Sequence, residues 1–477
     1  MKKAFIENAI DSRAKKLTAL SDRIWEYAET AFVEFKSTAD LCAALEEEGF
    51  KVEKNVAGIE TAFTGTYGSG KPVIGFLGEY DALFNLSQKG CCATRDPLVA
   101  GANGHGCGHN LLGVGSLAAA IAVKDYLKET GKSGTVIFYG TPGEEGGSGK
   151  AFMAREGVFN GLDAAITWHP AGLNYPRMAS SLANIQVAFK FKGIAAHAAG
   201  APHKGRSALD AVELTNVGVN YMREHIMSDC RVHYAVTNSG GSSPNVVQPT
   251  AEVLYLCRAP RIDDAQKIYE WVCDIARGAA MMTQTELEID FYKAASNVIA
   301  NRPLAELSNQ NMNLFGAPQL TEEEMKLVEE LAATYTIDFA RDAKSMVNSS
   351  GKEFSKAFAA HAGELFCQYV LPVPENESVG MGSTDVGDVS WCCPTINLNI
   401  ATHGYGVPGH SWQHTASNVA SFAHKGMLYA GKTMAGTAID IIDNPELLKP
   451  MWEEFKERVG DGYVCPIPKG VKPRPIK

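Results

Sequence analysis

Residues 103–110 read NGHGCGHN and set His105, Cys107 and His109 on alternate positions. Thiolate and imidazole are ligands for divalent transition metals, and a thiolate is also a redox group. No second cysteine stands at C-x-x-C spacing, so the simplest redox reading lacks support. Downstream, TPGEEGGSGK (141–150) carries Glu144 and Glu145 in a glycine-rich loop. It fails as a phosphate loop of the G-x-x-x-x-G-K-[ST] type: Glu144 stands where the first glycine belongs, and Ala151 where a hydroxyl would meet magnesium. Adjacent glutamates in an extended segment point apart, so one can bind a metal while the other faces substrate as a base. Two solvated loop charges are the plainer alternative.

Further histidines extend this set. His169 closes LDAAITWHP, and THGYGVPGHSWQHTA supplies His403, His410 and His414. Thiolate, imidazole and carboxylate together suit zinc or manganese, and none of the spacings is that of a zinc finger. A third group lies between: His197 in a run of small residues, Asn245 after a Gly/Ser/Pro turn, and Arg258 at the end of AEVLYLCRAP. Arg258 can pair bidentately with a substrate carboxylate, or simply cap a helix at the surface.

The elements that must hold these residues follow from periodicity. Apolar positions at helical spacing predict a long amphipathic helix over 5–31. STADLCAALEEEGF reads as a second, with Ser37 or Thr38 as N-cap and Gly49 as its stop. TAFTGTYG, PVIGFLGEYDAL, GTVIFYG and LDAAITWHP read as strands, and LLGVGSLAAAIAVKDYL as a helix of small residues fit for close packing. That alternation predicts an α/β domain with a largely parallel sheet, whose ligands gather where strands end. Asp81, Cys107, Glu144, Glu145 and His169 all fall at such places. From about residue 181 the order becomes β-α-β-β-α-β, a ferredoxin-like α+β insert. Helices return beyond Ala300, followed by the strand PTINLNIAT and a long helix from about Ser417. The expected domains are 1–180 with 300–477, interrupted by 181–299.

At 477 residues, two domains are the default. A net charge of −10 argues against nucleic acid or an anionic membrane as partner. The N-terminus lacks the apolar run of a secretory signal, and no stretch is apolar enough to span a bilayer. Eleven scattered cysteines do not form a disulfide framework, so a cytoplasmic location is expected.

These groups, in this order, resemble the M20 family of metallo-amidohydrolases and carboxypeptidases, in its Cys-x-His amidohydrolase branch. LGEYDAL, NGHGCGHNLLG, PGEEGGSGK, FKGIAAHAA, GRSALDAV, SPNVVQ and STDVGDVSW carry the likeness along nearly the whole chain. The resemblance implies a zinc-peptidase-like catalytic domain with a mixed, largely parallel sheet, interrupted by a lid that dimerises. It implies two divalent ions, Mn2+ or Zn2+, held by Cys107, His109, Glu145, His169 and His410, the last preferred over His403 and His414. Glu144 would be the general base and Asp81 the carboxylate orienting a ligand. His197 would reach the oxyanion from a partner subunit, and Asn245 and Arg258 would hold the substrate carboxylate. His105 is left to a supporting or structural role. The implied reaction is hydrolysis of an N-acyl amino acid, p-aminobenzoyl-glutamate foremost, in a homodimer or a heterodimer with a paralogue. Other N-acyl amino acids, dipeptides or a non-catalytic partner subunit are the alternatives. Two positions depart from the family pattern: Glu79 stands where many members carry a metal-binding histidine, and Asn110 where many carry Asp.

Overall fold

A computed structural model describes residues 2–460 and 462–475. Its seven-stranded sheet runs in the order Lys51–Lys54, Phe63–Ser69, Gly134–Gly140, Val73–Gly78, Ala164–Ala171, Thr395–Ala401, Tyr175–Arg177. The four central strands are parallel, and the flanking strands pair antiparallel. The expected mixed, largely parallel sheet is therefore present. Val73–Gly78 is apolar throughout because both faces of a central parallel strand are covered.

Helix His109–Thr130 lies directly against this sheet. A Cβ on Gly113 would come within 2.7 Å of the Glu79 carbonyl oxygen, and one on Gly115 within 2.7 Å of the Trp168 ring. Such a close approach needs glycine, and it brings the first residue of the helix, His109, to the end of the strand Val73–Gly78. Helix Ser421–Asp443 packs on the outside of it, with Gly431 facing Ala118.

A second sheet has four antiparallel strands in the order Glu286–Ala295, Ala183–Lys192, Thr250–Ala259, Arg231–Asn238. Helices Ala208–Met222 and Ile262–Thr283 complete the β-α-β-β-α-β sequence. Four further helices, from Arg302–Phe315 to Lys352–Ala359, precede Thr395–Ala401. Among the described residues, no helix is long and apolar enough to cross a membrane.

Three local expectations need correction. The first amphipathic run is two helices, Lys2–Asp11 and Ala14–Tyr27. The break falls where the Arg13 side chain turns to donate to the Ala9 carbonyl and to pair with Glu48 and Asp125. The second helix, Phe35–Glu47, starts ahead of Ser37 and Thr38. Its cap comes from upstream: the Glu29 carboxylate accepts from the amides of Lys36 and Ser37 at 2.9 Å each. A carboxylate at a helix N-terminus satisfies free N–H groups and complements the helix dipole. The last long helix begins at Ser421, after a separate short helix Trp412–Ser417.

Candidate metal centre

Five segments converge at the carboxyl ends of the central strands. The chain leaves Val73–Gly78 into Glu79 and Asp81, and Gly134–Gly140 into Glu144 and Glu145. His169 lies near the end of Ala164–Ala171. Cys107 sits just ahead of His109 in the loop before its helix. His410, exposed at the mouth of the cluster, precedes Trp412–Ser417 with φ at +53°, a left-handed backbone that non-glycine residues seldom adopt, and its ring reaches Glu145.

Cys107 belongs to two groups of ligand atoms. With His109 and His169 it forms one set, and with Glu145 and His410 another, all atoms of each set lying within 4.8 Å of one another. Cys107 Sγ is 3.4 Å from His169 Nε2, and His410 Nε2 is 3.3 Å from Glu145 Oε1. The ligand orientations are held from behind. Asp81 Oδ1 meets His109 Nδ1 at 2.9 Å, while its Oδ2 accepts from the Glu145 amide at 2.8 Å. One carboxylate thus orients an imidazole and a glutamate together. His169 Nδ1 lies 2.8 Å from the Pro170 carbonyl oxygen, which leaves Nε2 facing Cys107. Imidazoles fixed in this way through the far nitrogen are typical of metal ligands.

Two buried atoms in this cluster make no well-directed hydrogen bond: His109 Nε2, 3.2 Å from Glu79 Oε2, and Glu145 Oε1, 3.3 Å from His410 Nε2. Burial without a partner is costly, and a cation at each set would remove that cost. The donor set therefore fits two divalent ions sharing one thiolate. Burial, with the neighbouring His109, lowers the His169 pKa to about 3, so its imidazole is neutral, the form that ligates metal. Burial would raise Glu145, but His410 and His109 outweigh it and bring its pKa to about 2. Glu144 goes the other way: burial, then the charges of Glu79, Glu145 and Asp385, push its pKa well above the ordinary carboxylate value. The two glutamates occupy a turn rather than an extended segment, yet their carboxylates do part. Glu145 faces Cys107 and His410, whereas Glu144 groups with Glu79 and His109.

Beside this cluster sits a constellation that spacing did not reveal. Lys150 Nζ is 2.7 Å from both Glu79 Oε1 and Asp385 Oδ1, and its amide donates to Asp385 Oδ2 at 2.8 Å. All three side chains are buried. The residue that suggested a phosphate-loop lysine is a counter-ion inside the protein. Its partner Asp385 lies 235 positions away, and nothing in the local pattern points to the pairing.

The remaining candidates are placed as follows. His403 and His414 are buried beside one another with ring centroids 4.4 Å apart, and neither joins the Cys107 sets. His105 is tied to the Ile24 carbonyl at 3.0 Å. Asn110 donates to Ser21 Oγ and the Asn418 carbonyl, anchoring two helices. Arg258 is half-buried, with Nη1 3.4 Å from the Met381 carbonyl and Nε lacking a partner. His197 and Asn245 are exposed and adjacent, joined through the Ala198 amide and the Asn245 carbonyl at 2.9 Å. Within one chain these two are not brought to the cavity, because both ride on loops of the second sheet. That cavity, of about 340 Å³, is lined by Cys107, Glu144, Glu145, His169 and His410 among others.

The model for peptidase family M20/M25/M40 matches residues 75–434 of this chain. The chain belongs to this family. It is 48% identical over 475 residues, 99% of either chain, to one of the subunits of p-aminobenzoyl-glutamate hydrolase of Escherichia coli. It is 29% identical to the mouse Xaa-Arg dipeptidase, covering 94% of this chain and 90% of that one. An aminobenzoyl-glutamate utilization protein from Klebsiella pneumoniae shares the fold with a TM-score of 0.59 at 16% identity, over 91% of this chain and 98% of the other. The sequence expectation of an M20 enzyme of the amidohydrolase branch is thereby met at the level of family and fold.

Proposed function

We propose that this M20 chain hydrolyses the amide bond of p-aminobenzoyl-glutamate to p-aminobenzoate and glutamate. The observation that carries the reading is Glu144, a carboxylate with a raised pKa beside an open set of ligands that shares Cys107. The near full-length likeness to a hydrolase of that substrate supports the choice of amide. Cys107, His109 and His169 would hold one divalent ion, and Cys107, Glu145 and His410 the other, Mn2+ or Zn2+. When bound, such ions supply Lewis acidity toward a water and the scissile carbonyl. Glu144 takes the proton from the attacking water, and its raised pKa lets it keep that proton until the C–N bond breaks. It then passes the proton to the leaving amine, so the acyl group gains hydroxyl and the amine gains hydrogen. Asp81 keeps His109 and Glu145 in place during these steps.

We further read 181–299 as a lid and dimerisation domain inserted between 1–180 and 300–477. His197 and Asn245 would then serve a neighbouring subunit's cavity. The partner would be a second copy or a paralogous chain, a choice supported by the bacterial relative's being named as one subunit of its enzyme. Eleven unpaired cysteines suit a reducing cytoplasm. Dipeptides are the second reading, favoured by the likeness to a dipeptidase. A screen of p-aminobenzoyl-glutamate, other N-acyl amino acids and Xaa-Arg dipeptides decides between them, using the chain with Mn2+ or Zn2+, alone and with a paralogous chain. Turnover of the first substrate that Glu144→Gln abolishes is the expected result. Full turnover by Glu144→Gln, or activity on dipeptides alone, would refute the primary reading.

A further inference from the structure

The cavity beside the ligand cluster also carries a cation that no carboxylate among the described residues neutralises. Arg177 ends the three-residue edge strand Tyr175–Arg177 and lines the cavity. Among the described residues, its guanidinium makes no ion pair and no hydrogen bond. Its surroundings are polar and equally unsatisfied. Asn397, directly opposite Arg177 in the antiparallel ladder, also lines the cavity with its Oδ1 buried and unpartnered. Residues opposite one another share a sheet face, about 5 Å apart at Cβ. Ser383, from the segment over the cavity, has a buried Oγ with no partner. Arg177 and Ser383 are open donors for a ligand that brings its own acceptors, and the Asn397 amide joins them when it is turned to present Nδ2 in place of Oδ1.

The position of Arg177 relative to Arg258 narrows the ligand. Arg177 Nη2 lies 3.3 Å from where a Cβ on Gly380 would stand, so the missing side chain makes room for the guanidinium. Arg258 Nη1 reaches the carbonyl of the next residue, Met381. Two arginines without carboxylate partners therefore border consecutive residues of one segment, whose Cα atoms are about 3.8 Å apart. Other cations of the region differ: Lys150 is matched by Glu79 and Asp385, and Lys293 has the charges of Glu144 and Asp385 near it. A planar guanidinium binds a carboxylate through two parallel hydrogen bonds, and two of them suit a dicarboxylate.

We propose that Arg177, with Asn397 and Ser383, forms a subsite for the side-chain carboxylate of a dicarboxylic amino acid, while Arg258 takes its α-carboxylate. This rests on the amide-hydrolase reading above and names the specificity that goes with it. The subsite selects glutamate-like leaving groups against their amides, because a neutral carboxamide leaves the half-buried guanidinium unpaired under the substrate.

The test compares kcat/KM of the metal-loaded enzyme, with its partner chain where needed, on p-aminobenzoyl-glutamate and p-aminobenzoyl-glutamine. The wild type favours the glutamate substrate by roughly 30-fold or more, the cost of leaving one member of a charge pair alone once the bound substrate covers it. Arg177→Met brings that ratio close to unity, mainly through KM, and Arg177→Lys restores part of it. p-Aminobenzoyl-4-aminobutyrate, which lacks the α-carboxylate, remains sensitive to Arg177→Met but not to Arg258→Met. A wild type indifferent to the amide, or a ratio that survives in Arg177→Met, overturns the subsite. Turnover of neither substrate by wild type instead overturns the functional reading. The subsite is then judged by direct binding of L-glutamate against L-glutamine: a preference lost in Arg177→Met sustains it, and equal affinity in wild type rejects it.

Discussion

Two charge clusters lie side by side at the ends of the central strands, and they are built on opposite terms. In the first, Lys150 meets Glu79 and Asp385 at 2.7 Å each, so the charges answer one another within the chain. In the second, Cys107, His109, Glu145, His169 and His410 crowd together while His109 Nε2 and Glu145 Oε1 form no well-directed hydrogen bond. His109 joins the two, with Nδ1 on Asp81 and Nε2 3.2 Å from Glu79 Oε2. Burial alone does not mark function, since Lys150, Glu79 and Asp385 are buried like Cys107 and His109. What separates them is whether the polar atoms are satisfied without a ligand. The closed cluster fixes where the strand ends and the helix begins, and the open one uses that placement.

Substitutions in the two clusters therefore fail in different ways. The largest effect falls on Glu144. Glu144→Gln lowers kcat roughly 10²–10⁴-fold, the usual worth of a positioned acid–base group, while metal content by elemental analysis and the cooperative thermal transition persist. Loss of the bound metal instead would place Glu144 among the ligands and erase the division of labour with Glu145. Next comes Lys150→Met, which leaves Glu79 and Asp385 buried without a counter-ion and costs about 3–5 kcal/mol in denaturant unfolding. Adding Glu79→Gln and Asp385→Asn recovers much of that loss, because a neutral, well-packed core needs no cation. An unchanged midpoint in Lys150→Met would mean that the closed cluster is not what holds this corner together.

Metal stoichiometry sharpens the open side. Cys107→Ala removes the atom common to both sets and reduces bound Mn2+ or Zn2+ toward zero per chain. His169→Ala and His410→Ala each reduce it toward one. Asp81→Asn keeps the ligands but loosens their orientation, and weakens metal affinity by about 10–100-fold in a chelator competition. Identical losses in His169→Ala and Cys107→Ala would argue for one ion rather than two.

The contrast also separates what the chain's pattern makes legible from what it hides. Cys107, Glu144, Glu145 and His169 each follow an apolar strand or precede a helix of small residues, so their convergence at one end of a parallel sheet is readable from order alone. The β-α-β-β-α-β insert is readable for the same reason, since alternation and helical spacing are local. Choosing His410 over His403 and His414 took the family likeness, because it depends on a left-handed backbone at His410 that no spacing reveals. The closed cluster is invisible in the pattern: Lys150 and Asp385 meet only through tertiary packing. Glu29, capping a helix that starts six residues later, escapes for a milder version of the same reason. Arg177 escapes because a three-residue edge strand has too few positions to show alternation.

The smallest expected effect tests a carboxylate that belongs to neither cluster. Asp388 shares the short helix Val386–Ser390 that follows Asp385 and is buried, yet among the described residues it pairs with no cation. It accepts from the Ser296 amide at 3.0 Å, Ser296 Oγ at 2.8 Å and Tyr463 Oη at 2.8 Å. Burial raises its pKa from 3.8 to about 7 against those hydrogen bonds, with the charge of Asp385 adding to the rise. The folded chain therefore keeps a proton that the unfolded chain has released between about pH 4 and pH 7. Stability falls as pH rises through that window, by at most about 1.4 kcal/mol per unit for a single proton. Asp388→Asn removes that share of the slope, so the wild-type and variant curves of unfolding free energy between pH 5 and 7 diverge with rising pH. Parallel curves would mean that Asp388 is ionised in the fold, held there by its three donors alone, and that a buried carboxylate here needs no partner of opposite charge.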